Sequence, residues 1–109
     1  MRQYPRSIKP IQITMARYIA LLRFTDQGAK NITKSTRRAH EFDKLAAKAG
    51  VNVEGQYWTM GRYDGLIILN ASSESNILHL LTSLASLGNV QTETMQAFVD
   101  SEFDKIVRR

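Results

Sequence analysis

The chain has 109 residues, 43% of them apolar and 23% charged, with 6 glycines, 2 prolines and no cysteine. That length makes one domain with a modest core, and the composition excludes disordered, collagenous and low-complexity chains. Without cysteine there is no disulfide, thiolate metal site, iron–sulfur cluster or cysteine nucleophile, which fits a reducing, cytoplasmic setting. The formal charge of +5 invites a nucleic-acid reading, but five of the 15 basic residues, Arg2, Arg6, Lys9, Arg108 and Arg109, sit at the ends. The ten that remain are matched by all 10 acidic residues, so the body of the chain is neutral and nucleic acid is not an expected partner.

Residues 1–14 hold both prolines, Pro5 and Pro10, and show no helical period. They read as a basic N-terminal arm or extension, with a single domain over 15–109. Ile11–Ile13 is too short and too interrupted for a signal peptide, and no span approaches the ~20 apolar residues of a membrane helix.

The apolar run from Arg17 to Phe24 predicts a buried strand, closed by Thr25-Asp26-Gln27-Gly28, where Thr25 or Asp26 caps the turn that follows. The next helix is weak around Ser35-Thr36 and strong from Arg37, with Ala39, Phe42, Ala46 and Ala49 as its apolar stripe. Its basic residues, Lys30, Lys34, Arg37, Arg38, Lys44 and Lys48, read as a solvated face, since no aromatic platform is interleaved. Gly50 ends this helix. Val51–Met60 and Tyr63–Asn70 form a hairpin about a two-residue turn at Gly61-Arg62. Ser72-Ser73-Glu74 opens a second helix with Ile77, Leu80, Leu81, Leu84 and Leu87 as its stripe, stopped by Gly88-Asn89. Val90–Phe98 is a weaker fourth strand, and a short C-terminal helix begins near Asp100.

The order β-α-β-β-α-β is that of an α+β, ferredoxin-like fold, a four-stranded antiparallel sheet of order 4-1-3-2 with two helices on one face. The longest apolar runs, Ile19–Leu22 and Leu66–Leu69, fall on the two strands this order places centrally. Helices cover one face only, and Ile19, Leu21 and Ile67 are expected on the other. Leaving them wet forfeits hydrophobic stabilisation, so a second subunit, making a dimer or higher homo-oligomer, is the expected cover. The alternative cover is Trp58 with the N-terminal arm.

The stretch Gly55-Gln56-Tyr57-Trp58-Thr59-Met60-Gly61-Arg62-Tyr63-Asp64-Gly65 closely resembles the GYD family, whose defining glycine, tyrosine and aspartate map onto Gly61, Tyr63 and Asp64. The resemblance extends through Tyr18–Gly28 and Gly88–Thr94 and covers about Met15 to Ile106. It implies a ferredoxin-like unit akin to the dimeric α/β barrel proteins, in which two sheets pack around a cavity. It implies no reaction.

Hairpin parity places Glu54, Gln56, Trp58, Tyr63 and Ile67 on one face and Tyr57, Leu66 and Ile68 on the other. The second set is the more apolar and is assigned to the helices, so Glu54, Gln56, Trp58 and Tyr63, with Arg17 and Glu93 from neighbouring strands, become the candidate site for a small, partly apolar ligand. Tyr63 and Asp64 are the candidates for proton transfer in a cofactor-independent oxygenase or isomerase. The structural counterpart has Asp64 satisfying turn amides or pairing with Arg62, and Glu93 pairing across strands with Arg17 or Arg23. His40 and His79 fall off the apolar stripes and have no ligand-spaced partner, so no metal or cofactor is expected. A ligand-free assembly module is the third functional reading.

Overall fold

The computed structural model describes residues 15–108, so the expected arm over 1–14 lies outside the described residues. The elements are β1 (Ala16–Phe24), α1 (Asp26–Lys30), a short 3₁₀ turn (Ile32–Lys34), α2 (Ser35–Lys48), β2 (Asn52–Trp58), β3 (Gly65–Ala71), α3 (Glu74–Ser86), β4 (Val90–Ala97) and α4 (Asp100–Val107). The sheet has the order β2-β3-β1-β4 with every pairing antiparallel, which is the expected 4-1-3-2 order counted from the other edge.

The weakness expected near Ser35 is a break: one turn of α1, the 3₁₀ turn, and only then the long α2. Thr25 starts α1, its hydroxyl accepting from the Gly28 amide at 3.1 Å and donating to the Gly88 carbonyl at 2.6 Å. The same residue thus caps a helix and ties the end of β1 to the turn before β4. Arg38 reaches back from α2 to donate to the Asn31 carbonyl at 2.8 Å, bridging the break. Gly50, at φ +74, ends α2 in the left-handed region, and the Val51 amide returns to the Ala46 carbonyl at 2.9 Å.

The core lies between the sheet and the two long helices. Tyr18 and Ala20 of β1 pair with Leu69 and Ile67 of β3, and these four are buried against Phe42 and Ala46 of α2 and Ile77, Leu80 and Leu81 of α3. Leu87, expected as the last member of the α3 stripe, is 53% exposed because α3 ends one residue earlier and the chain turns away at Gly88.

The face assignment of the hairpin is reversed from expectation. Trp58 does stand opposite Gly65, but Ile67 is only 4% exposed under the helices, and Leu66 and Ile68 take the uncovered face. Both parities of β3 are apolar at its centre, so alternation could not choose between them. On the edge strand β2 the inward side chains lie at the rim of the helical layer, where polar ends find partners. Gln56 donates to Asp43 at 2.7 Å and the Trp58 indole N–H to Ser35 at 3.2 Å, both on α2. The hairpin connection is closed by the Thr59 amide on the Asp64 carbonyl at 2.9 Å, with Gly61 at φ +102 inside it.

Gly28 is buried where a Cβ would strike the Asn89 carbonyl, a backbone group that the Thr25 amide already holds. Gly28→Ala is expected to cost about 1–3 kcal/mol by overpacking, read as a lower midpoint in denaturant unfolding.

Candidate functional site: the uncovered sheet face

The face turned away from the helices is apolar at its centre and charged at its two ends. Ile19 pairs with Ile68 and Met95, and Leu21 pairs with Leu66, whose other neighbour is Tyr57. The four central aliphatic side chains are half-buried by one another, while Tyr57 and Met95 on the edge strands remain 56% and 45% exposed. These six form one continuous patch with no helix over it among the described residues. The face assignment expected from the sequence gives Leu66, Ile68 and Tyr57 to the helices, the reverse of what is found, and nothing in the hairpin bears on Met95. For β4 the available signal is the alternation Gln91, Glu93, Met95, Ala97 along one side of the strand.

One end carries an ion pair. A bulge between Val53 and Gly55 turns Glu54 onto this face, and Arg17 grips it through Nε at 2.9 Å and Nη2 at 3.3 Å. The buried Asn70 side chain donates to the same carboxylate. The Arg17 hydrogen bond is the main cause that holds the Glu54 carboxyl below its usual range, and Glu54 in turn raises the Arg17 guanidinium. Arg17 therefore pairs with Glu54 and not with Glu93.

At the other end the Tyr63 hydroxyl donates to Glu93 at 2.8 Å, and the Arg23 guanidinium lies over the Tyr63 ring, 5.1 Å from its centroid. Asp64 next to it is held by the backbone: its carboxylate accepts from the Phe24 amide at 2.8 Å, and its own amide donates to the Leu22 carbonyl at 2.8 Å. This residue stitches the hairpin to the end of β1, a structural use of the carboxylate akin to the turn-amide reading but across strands.

The six residues expected to form one ligand site are thus distributed over three places. Arg17 and Glu54 neutralise each other at one end of the face, and Tyr63 and Glu93 meet at the other. Gln56 and Trp58 lie on the opposite side, in a groove of about 390 Å³ with His40 and Asp43. A larger cleft of about 590 Å³ separates α3 from β4, with the buried Tyr18 phenol reaching Glu74 at 3.4 Å. Burial is the main cause that raises the Tyr18 pKa. No local pattern in the sequence marks that cleft, because it arises where one helix must serve two strands. Among the described residues no group of three or more His, Cys, Asp or Glu side chains is placed to hold a metal ion, and no helix is long and apolar enough to cross a membrane.

Because its folded-state pKa is depressed, Glu54 contributes stability that is complete above its ordinary value of 4.5 and is lost as the pH falls through the lower folded-state value. The unfolding midpoint is expected to fall less steeply below pH 4.5 in Glu54→Gln than in the parent chain, measured by denaturation at a series of pH values.

The GYD domain model matches residues 18–107. A protein of Thermus thermophilus, named glutamine synthetase and cystathionine beta-lyase binding protein, is 33% identical over 84 residues, 76% of this chain and 88% of that relative. Among solved structures, the crystal structure of MtbAldR matches with a TM-score of 0.58 at 12% identity, over 92% of this chain and 64% of that one, so the chain spans less than two thirds of its length. The solution structure of the C-terminal domain of the MgtC protein from Mycobacterium tuberculosis matches with a TM-score of 0.53 at 10% identity, over 79% of this chain and 90% of that domain. Identities this low speak for the α+β, ferredoxin-like fold alone. With the family model spanning both central strands, the hairpin and both long helices, the chain belongs to the GYD domain family.

Proposed function

We propose that this chain is a self-associating protein-binding module in which the uncovered sheet face of one copy closes on that of a second. The observation that carries the reading is the continuous patch of Ile19, Leu21, Leu66, Ile68, Tyr57 and Met95, which no helix among the described residues covers. Apolar surface contributes about 25 cal/mol per Å² when removed from water, and the facing sheet of a second copy is matched to this one in size and polarity. Two such sheets face to face make the barrel-type dimer that the family resemblance implies.

A role in holding other proteins is supported by the Thermus relative, whose name describes it as binding two enzymes. The arrangement of polar groups supports binding over catalysis. The Asp64 carboxylate is occupied by the Phe24 amide, the Tyr63 hydroxyl by Glu93, and Glu54 by Arg17 and Asn70. Each acid–base candidate is engaged within the fold, and no two of the carboxylates converge on a common cavity lining.

Native mass spectrometry and sedimentation are the test. The parent chain is expected to run as two or more copies at micromolar concentration, and Leu21→Glu combined with Ile68→Glu as a folded monomer. A monomeric parent chain overturns the reading. A reproducible bound mass between the copies would instead favour an enclosed apolar ligand.

A further inference from the structure

Among the described residues, the C-terminal helix α4 has no partner for its apolar side. Val99, Phe103, Ile106 and Val107 recur at the spacing of a single stripe, and all four are 41–59% exposed. Three large apolar side chains on one side of a two-turn helix, with Val99 at its N-cap, are not explained by packing among the described residues. At 100° per residue the stripe is bordered on either side by Asp100 and Glu102, so it is an apolar ridge with acidic margins.

The helix stands at one end of the uncovered face. Its first residue follows β4 closely, and Ala97 at the end of β4 pairs with Arg17. Glu102 is near enough to raise the Arg17 guanidinium, after the larger effect of Glu54. The acidic margin thus lies beside the end of the sheet whose arginine already has a carboxylate. At the other end, Arg23 and Arg62 flank the Tyr63 ring and make no ion pair among the described residues.

The α4 stripe adjoins that face where β4 ends, so a second copy that closes on the sheet can bury both surfaces together.

Resting on the self-association reading above, we infer that α4 is a clasp for the second copy: it lays Val99, Phe103, Ile106 and Val107 over the Arg23 and Arg62 end of the partner's sheet, beside the sheet-to-sheet contact, its acidic margins meeting those two arginines. Two copies stacked with their strands reversed bring the α4 end of each over the Arg23 end of the other. The exchange is reciprocal, and the dimer closes without leaving a stripe free for a third copy.

The test replaces Phe103, an exposed position, with the photo-crosslinking analogue p-benzoylphenylalanine in full-length chains, one half isotopically light and the other heavy. Irradiation of the mixture is expected to join light to heavy chains, with the cross-linked peptide falling within residues 19–23 or 60–68. Phe103→Glu is expected to raise the dimer dissociation constant at least tenfold by sedimentation, with the circular dichroism spectrum unchanged. Cross-links confined within single chains overturn the clasp in favour of a helix folded over its own sheet. A dimer that gives no cross-link, or gives one only on the helical side, also overturns it while leaving sheet pairing intact. A parent chain that sediments as a monomer refutes the self-association reading itself, and the clasp with it.

Discussion

Two helices of 13 or 14 residues can cover one face of a four-stranded sheet and not both, and most of what distinguishes this molecule follows from that geometry. The covered face is finished: Tyr18, Ala20, Ile67 and Leu69 meet Phe42, Ala46, Ile77 and Leu80 in a core that water does not reach. The other face carries nearly as many aliphatic side chains on β1 and β3 and, among the described residues, has no helix above it. Its centre, Ile19 and Leu21 of β1 beside Ile68 and Leu66 of β3, is wholly aliphatic.

Charge is arranged around that unfinished face and not across it. Arg17 and Glu54 close one end with a two-pronged contact supported by Asn70, and Tyr63, Glu93 and Arg23 close the other. Polar groups at the margin with apolar groups at the centre are the layout of a protein interface, where the rim stays hydrated and the middle does not. The Glu54, Glu93 and Asp64 carboxylates each accept a hydrogen bond from another strand or loop. Asp64 is the plainest instance, since its carboxylate and its amide both hold β1 to the hairpin.

One inserted residue shows how local geometry redistributes function. The bulge at Glu54 interrupts the alternation of β2, so Glu54 faces the uncovered side while Gln56 and Trp58 face α2. Strict alternation puts all three together, and the bulge instead leaves Glu54 on the other side of the sheet from Gln56 and Trp58. A bulge adds one residue on one strand and thereby shifts which side chains share a face.

Much of the fold was legible in the order of the residues. Gly50, Ser73 and Gly88 mark helix ends through backbone and side-chain preferences that act over three or four residues, and both long helices follow their apolar stripes. The strand order was accessible too, because long apolar runs belong in the middle of a sheet. Local chemistry decides such features, so the sequence carries them openly. Which face of β3 is covered is a different matter: Leu66-Ile67-Ile68-Leu69 is apolar in both parities, and only the packing of Phe42, Ile77 and Leu80 against Ile67 and Leu69 resolves it. The partners of Glu54, Glu93 and Asp64 likewise depend on register between strands 30 to 40 residues apart. Contacts over such separations are set by the closure of the whole sheet, and no stretch of the chain read alone contains them.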